Sequence, residues 1–262
     1  MQDELKVALI QTQLVWENPV QNRANIADKI KQINGTVDII LLPEMFTSGF
    51  TMSPNNVAES MQGNTVKWMQ GEAKKANAAI GGSLVIHENE NYYNRFVFAK
   101  PDGGIETYDK RHSFTLAGED KVYKAGTNRI IIDYRGWKIC PLVCYDLRFP
   151  VWARNTEDYD VLCYVANWPK PRINAWDALL KARAIENMSY CIGVNRVGLD
   201  GNNYEYSGHS AAYDGLGKQL TSIEDGKEQI AVITLNKDHL KKIRKKLMFL
   251  NDRDTFTLKK TP

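Results

Sequence analysis

Three side chains capable of acid–base or nucleophilic chemistry each stand where a predicted strand ends. Glu44 comes directly after IILLP, Lys110 follows IETYD, and Cys144 follows ICPLV. Folds of the α/β class gather active groups at strand ends, because the sheet fixes a side chain while the end opens to a cleft. Taken singly, each residue also has an ordinary structural interpretation: a core thiol, a solvated lysine and a charge at a helix N-terminus. The distances between the three residues along the sequence do not by themselves show that they belong to one site.

The elements that must position these residues alternate between short apolar strands and longer amphipathic helices. Turn signals at PDGG and at Arg135-Gly136 predict two hairpins. Strands are predicted over residues 6–12, 37–42, 79–87, 95–100, 105–108, 129–134, 137–144, 161–166, 191–197, 210–213, 218–222 and 230–235, and helices over residues 19–33, 65–76, 173–189 and 238–250. Helices flanking a mixed sheet system of this size indicate a layered α/β architecture.

Length and composition are those of an ordinary globular protein. The chain has 262 residues, of which 43% are hydrophobic and 25% charged. This excludes disorder, collagen-like repeats and coiled coil as descriptions of the whole chain. The longest aliphatic runs are far below the roughly 18 residues that a membrane span needs, so no membrane partner is predicted. No linker interrupts the sequence, and a single domain over residues 1–262 is predicted.

The net charge of +3 is concentrated near the C-terminus. Residues 237–260 contain nine Lys or Arg against three Asp. A basic patch can bind nucleic acid. Here, however, no aromatic residues alternate with the basic ones, and no nucleic-acid-binding motif is present. We therefore expect residues 237–262 to form a basic, solvated helix and tail, with Leu240, Ile243, Leu247 and Leu250 packed inward, and no nucleic-acid partner.

The N-terminal sequence predicts a reducing compartment for the four cysteines. The first residues, MQDEL, are acidic and lack the apolar core of a secretory signal. The four cysteines are therefore expected to stay reduced in the cytoplasm, without a disulfide framework. Cys140 and Cys144 are close in sequence, but no second Cys or His pair stands at ligand spacing, so no metal site is predicted.

Three sequence blocks around the candidate residues resemble the signature blocks of the nitrilase (carbon–nitrogen hydrolase) superfamily. They are LPEMF around Glu44, YDKRH around Lys110 and LVCYDLRFP around Cys144, in the family's order, and the likeness runs over about residues 6–235. The blocks VANWP, ARAIEN and CYDLRFP most resemble the bacterial omega-amidase branch, which hydrolyses 2-oxoglutaramate and related ω-amides of dicarboxylic acids. The resemblance implies a four-layer α-β-β-α sandwich and a homodimer paired through one helical layer.

The resemblance also implies roles for the candidate residues. Glu44 would accept the Cys144 proton, which a thiol with an ordinary pKa near 8.5 needs in order to attack an amide. Lys110 and the backbone N–H of Tyr145 would face the oxyanion, and the product would leave through a thioester on Cys144. Glu119 matches a second glutamate of the family, which would position the substrate or Lys110. No metal or organic cofactor is implied.

An ω-amide substrate carries a free carboxylate, which calls for a cation in the pocket. Arg172 follows the strand at residues 161–166 and opens the next helix, so it is the predicted carboxylate ligand. Trp168 and Phe46 are predicted to wall the pocket. Asp146 and Arg148 are expected to form a supporting ion pair behind the nucleophile.

Several alternatives stay open at this point. Cys144 paired with His112 or His209 would make a thiol hydrolase of a different type. Within the superfamily, an amidase for N-carbamoyl amines or for deaminated glutathione is possible. A nitrile hydrolase is disfavoured, because true nitrilases have Trp-Glu after the cysteine where this chain has Tyr145-Asp146. A non-catalytic interaction module on the same fold is the remaining class.

Overall fold

The structure, a computed structural model, describes residues 2–258 of the chain. Its strands are β1 (Glu4–Gln11), β2 (Ile39–Leu41), β3 (Ala79–Glu88), β4 (Asn91–Ala99), β5 (Ile105–Asp109), β6 (Ile132–Tyr134), β7 (Trp137–Val143), β8 (Val161–Ala166), β9 (Tyr190–Asn195), β10 (Val197–Leu199), β11 (Glu205–Ser207), β12 (Ala211–Tyr213) and β13 (Gln229–Asn236). Its helices are α1 (Pro19–Lys31), α2 (Asn64–Ala76), α3 (Pro150–Ala153), α4 (Ile173–Asn187) and α5 (Lys237–Leu247).

Two sheets contain most of the strands. The first has the order β13-β1-β2-β3-β4-β5 and the second the order β12-β9-β8-β7-β6, while β10 and β11 form a separate hairpin. Parallel pairing joins β1, β2 and β3 in the first sheet and β7, β8 and β9 in the second. In both sheets, therefore, the carboxyl ends of the central strands point to one edge, where loops can meet.

The alternation of apolar side chains along β1 explains how the layers stack. Leu5, Val7 and Leu9 belong to the core between the two sheets, whereas Ala8 and Ile10 belong to the core beneath α1 and α2. Successive side chains of a strand point to opposite faces, so a strand that is apolar on both faces must be covered on both.

Helix α4 covers the outer face of the second sheet. Gly193 in β9 makes this close approach possible, because a Cβ at that position would lie 2.5 Å from the Leu180 side chain and 2.6 Å from that of Trp176. Helices thus lie outside both facing sheets, and the predicted four-layer α-β-β-α sandwich is confirmed.

Most predicted elements are present, with two informative differences. Asn89 and Glu90, both with positive φ, form a tight turn that joins β3 to β4 in a long hairpin. Glu is not a typical residue for that turn, so the sequence predicted only the second half of β4. The predicted strand at residues 218–222 is wrong: that segment contributes one isolated bridge, between Tyr213 and Gln219.

The basic C-terminal region forms α5 and a short extension. Leu240 is buried, and Ile243 packs against the hydrophobic core near Gly215 and the end of α4. Met248, with φ of 53°, ends the helix earlier than predicted. The last four residues of the predicted tail, 259–262, lie outside the described residues. Within residues 2–258, no helix combines the length and apolar character needed to cross a bilayer.

Candidate active site

Four strand ends meet at one edge of the sandwich. Glu44 lies just beyond β2, Lys110 directly follows β5, Cys144 directly follows β7, and Asn167 directly follows β8. The first two strands belong to one sheet and the last two to the other. The edge where the two sheets open therefore brings together Glu44, Lys110 and Cys144, which are up to 100 positions apart in the sequence.

A buried charged cluster surrounds the lysine. The Lys110 ammonium lies 2.9 Å from Glu44 Oε1 and 2.9 Å from each carboxylate oxygen of Glu119. All three side chains are buried. Burial alone would lower the pKa of Lys110, but the Glu119 and Glu44 carboxylates raise it overall, so the side chain stays an ammonium.

Glu119 contacts Lys110 and does not line the cleft. Its carboxylate accepts a hydrogen bond from the Phe114 backbone N–H at 2.6 Å in addition to its contacts with Lys110. Burial raises the pKa of Glu119, an effect that Lys110 opposes and that Glu44 reinforces. Of the two roles considered from the sequence, the geometry favours positioning of Lys110.

Two asparagines hold Glu44 in place. Asn94 on β4 donates to Glu44 Oε1 at 2.7 Å, and the Asn167 backbone N–H donates to Glu44 Oε2 at 2.8 Å. The Asn167 side chain also donates to the Glu44 carbonyl at 2.6 Å. The carboxylate is thus fixed from both sheets before any substrate binds.

The thiol of Cys144 sits on a strained turn. Cys144 has φ of 44° and begins the short 3-10 helix Cys144–Arg148. Such a conformation costs a non-glycine residue about 1–3 kcal/mol and is typical of functional sites. The Cys144 Sγ lies 4.0 Å from the Asn167 carbonyl. Burial raises the pKa of the Cys144 thiol well above its usual range, and the negative charge of the nearby Glu44 carboxylate contributes in the same direction against the opposing field of Lys110. The resting sulfur is therefore a thiol with a carboxylate beside it.

Asp146 braces the nucleophile turn, but not in the predicted way. One of its oxygens accepts from the backbone N–H of His112, and the other accepts from the hydroxyl of Tyr108 and the backbone N–H of Val143. The predicted ion pair between Asp146 and Arg148 is wrong, because Asp146 is turned into the protein and Arg148 is turned toward the cleft.

A cleft of about 370 Å³ opens above Cys144 and Lys110. Both Arg148 and Arg172 line it, and each guanidinium stacks on an aromatic ring: Arg148 on Trp168 at 4.8 Å and Arg172 on Phe114 at 4.9 Å. Within residues 2–258, neither arginine forms a salt bridge with a carboxylate. The rest of the lining is largely aromatic and apolar, with Asp200 as its acidic member.

Of the two predicted pocket walls, only Trp168 lies at the cleft. The prediction for Phe46 is wrong, because Phe46 is fully buried on the helix-covered face of the first sheet, with its ring 6.0 Å from that of Trp68. Met45, at φ of 41°, turns the chain there, and Gly82 leaves room for the ring. Phe50 and Phe114 supply the aromatic wall instead.

Neither histidine proposed for the alternative thiol hydrolase is beside Cys144. His112 pairs with Asp146 through Nδ1 at 2.8 Å and stacks on Phe149 at 3.7 Å. His209 pairs with Asp177 at 2.9 Å and does not line the cleft. The carboxylate close enough to raise the pKa of the Cys144 thiol is that of Glu44.

Two residues of this site, Asn167 and Asn94, had no predicted role. Asn167 lies in VANWP, a block that carried the family resemblance, so a signal for it was present. Asn94 lies in the middle of a strand, and no motif in the sequence around it indicated a place in the site. Tyr145, by contrast, was anticipated: it lies early in the 3-10 turn, where N–H groups have no acceptor within the turn.

This fold and this set of side chains define a hydrolase of the nitrilase type. The family model for carbon–nitrogen hydrolases matches residues 6–245, and the chain belongs to this family.

Individual relatives refine that assignment. The omega-amidase YafV of Escherichia coli (strain K12) is 44% identical over 255 residues, which cover 97% of this chain and 98% of that protein. The 2-oxoglutaramate amidase of Bacillus subtilis (strain 168) is 32% identical over 228 residues, covering 85% of this chain and 87% of that one. The crystal structure of XC1258 from Xanthomonas campestris, a CN-hydrolase superfamily protein with an arsenic adduct in its active site, superposes with a TM-score of 0.96. It is 40% identical and covers 98% of this chain and 100% of that one.

Proposed function

We propose that this carbon–nitrogen hydrolase is an amidase that cleaves the terminal amide of a short dicarboxylic acid monoamide such as 2-oxoglutaramate. The observation that carries the proposal is the meeting of one thiol, one carboxylate and one ammonium at the floor of a cleft whose wall holds two arginines. The similarity to an omega-amidase and to a 2-oxoglutaramate amidase supports the substrate class.

The first half of the reaction forms a thioester. The Cys144 sulfur attacks the amide carbon while Glu44 accepts the thiol proton, since a buried thiol with a raised pKa is a weak nucleophile without a base. The Lys110 ammonium and the Tyr145 N–H stabilise the tetrahedral oxyanion, and one such donor is worth about 3 kcal/mol of barrier. The C–N bond then breaks, and Glu44 returns the proton to the departing nitrogen, which leaves as ammonia.

The second half hydrolyses the thioester. Glu44, again ionised, removes a proton from a water molecule as that water attacks the thioester carbonyl. The same two donors stabilise the second oxyanion. The C–S bond breaks, the sulfur recovers a proton from Glu44, and the dicarboxylate leaves. The chemistry needs only residues of this chain.

Two arginines fit the carboxylate at the far end of the substrate. Arg172 was predicted for this role, and Arg148 lies in the same cleft with no carboxylate partner within residues 2–258. A guanidinium binds a carboxylate in bidentate fashion, and its stacking on Trp168 or Phe114 keeps it oriented. Asp200 does not compete, because Tyr206 and the backbone of residues 202 and 204 already donate to it.

A substrate panel tests this function. Ammonia release is measured with 2-oxoglutaramate, succinamate, glutamine, a neutral amide, an N-carbamoyl amine and a nitrile. We expect the first to have the highest kcat/KM, and a preference for glutamine would refute the assignment. In Arg148→Ala and Arg172→Ala, KM for the ω-amide should rise while the neutral amide is little affected. Equal losses on both substrates would remove that arginine from carboxylate recognition.

We also propose a cytoplasmic homodimer. The four cysteines are free and buried, as suits a reducing compartment. The layer formed by α3, α4 and the turn after β12 leaves three apolar side chains exposed, namely Val151, Ile185 and Leu216. A second copy that covers this layer would bury them.

A further inference from the structure

Asn94 joins the three charged residues of the site. From β4 its Nδ2 donates to Glu44 Oε1 at 2.7 Å and to Glu119 Oε1 at 3.2 Å. Its backbone carbonyl accepts from the Lys110 N–H at 3.0 Å. Asn94 is only 2% exposed, so water does not replace these contacts.

The charge balance of the cluster requires such a donor. Glu44 and Glu119 are two buried carboxylates that share one ammonium, that of Lys110. Like charges in one site favour protonation of one of them, and hydrogen bonds to the charged form oppose it. A neutral amide between the two carboxylates stabilises both anions without adding a further titrating group.

The orientation of the amide is determined by its partners. The opposite orientation would place Oδ1 against two carboxylate oxygens, which have no proton to donate. With Nδ2 facing the carboxylates, Oδ1 is buried and has no donor within residues 2–258. The site thus keeps an unsatisfied acceptor, which is unfavourable in itself, in order to direct both N–H groups at the glutamates.

These contacts also distinguish the two oxygens of Glu44. Oε1 already accepts from Lys110 and Asn94, whereas Oε2 accepts from the Asn167 N–H alone. A carboxylate oxygen that already has two donors is a poor site for a further proton. Oε2 is therefore the oxygen that remains available for the thiol proton.

We propose that Asn94 is a positioning residue that holds the Glu44 and Glu119 carboxylates side by side at Lys110 and directs the Cys144 proton to Oε2 of Glu44. The inference rests on the proposed function only in that Glu44 is the base. Without Asn94 the base loses a donor to its charged form, so we expect activity to be lost at a higher pH than in the wild type as the pH is lowered.

The test is the pH dependence of kcat/KM in Asn94→Leu, a substitution of similar size without a donor. We expect the acidic limb to move up by about one pH unit and kcat/KM at neutral pH to fall by roughly tenfold or more. Asn187→Leu is the matched control: Asn187 is equally buried but lies at the end of α4 among Arg183 and Asn155. In the Asn187→Leu variant, the acidic limb of the kcat/KM profile should lie at the same pH as in the wild type.

An acidic limb that does not move in a folded Asn94→Leu protein overturns the inference, even if activity falls uniformly, because a merely structural role lowers the rate at every pH without moving that limb. If that variant does not fold, Asn94→Ala removes the same donor with less steric demand and is judged in the same way. A wild-type enzyme that releases no ammonia from any amide would instead refute the proposed function, so the two failures are distinguishable.

Discussion

At the scale of single residues, the central feature is a nucleophile that its surroundings keep protonated. Burial and the Glu44 carboxylate raise the pKa of the Cys144 thiol, while Lys110 acts in the opposite direction. A site built to store a thiolate would have a positive field without the adjacent anion. In the proposed mechanism the sulfur is activated only when its proton moves to Glu44, so deprotonation and attack on the amide are coupled.

Glu44→Gln separates these two effects. We expect amide hydrolysis to fall by roughly a thousandfold, because the general base for both half-reactions is gone. Alkylation of Cys144 by iodoacetamide should persist, because the substitution removes a negative charge that raises the thiol pKa and leaves Lys110 in place.

Peptide mass mapping identifies the alkylated cysteine and gives its rate. Cys140, Cys163 and Cys191 serve as internal controls, since all three are buried in the core. If Glu44→Gln lost both amide hydrolysis and alkylation of Cys144, Glu44 would be needed to form any reactive sulfur. That outcome would contradict the expectation that Lys110 alone supports a reactive thiolate.

At the scale of elements, the site depends on segments that tie strand ends together. Asp146 is the clearest case, because it links the turn that holds Cys144 to the segment that follows β5 and holds Lys110. Its carboxylate accepts four hydrogen bonds, from Tyr108, Val143 and two nitrogens of His112. A buried anion with this many donors fixes two loops relative to each other.

Asp146→Ala should therefore cost stability as well as activity. Removal of the carboxylate leaves buried donors without an acceptor, and we expect the free energy of unfolding to fall by about 3 kcal/mol. Urea denaturation followed by circular dichroism measures the change. Asp238→Ala is the control, because that carboxylate is exposed in the first turn of α5 and should contribute at most about 0.5 kcal/mol. A loss no larger than in the control would contradict the bracing role.

At the scale of the whole molecule, the two helical layers differ in what they expose. The layer with α3 and α4 presents Val151, Ile185 and Leu216 to solvent. On the opposite side, α1 and α2 expose one large apolar side chain, that of Val20. The first layer is the better candidate for contact with a second copy, since oligomer interfaces are more apolar than ordinary surface.

Ile185→Asp tests this assembly. Ile185 is 46% exposed on α4, and a charge there would have to be desolvated in a dimer. We expect the mass measured by light scattering after gel filtration to drop from two chains to one. Val20→Asp, at a side chain 70% exposed on α1, should leave the wild-type mass unchanged. A dimer that survives the first substitution, or dissociates with the second, would place the interface elsewhere.

Much of this molecule was determined by the sequence alone. Local patterns of apolar and polar residues predict buried strands and helices. The predicted bounds of β8 therefore match the observed ones, and those of α1, α2 and α4 agree to within two residues. The four-layer fold and the family followed from three motif blocks, because each block keeps its own residues adjacent along the chain. The turn at Asn89-Glu90 escaped prediction, because its residues lack the usual signature.

Only the tertiary structure decided which side chains meet. Asn94 reaches Glu44 across 50 positions of sequence and the Asn167 N–H reaches it across 123, and no local pattern records such contacts. The same holds for Phe46, which turned to the helical layer, and for Arg148, which turned to the cleft. Local spacing specifies elements, whereas the direction of a loop side chain depends on the packing of segments that the chain brings together only when it folds.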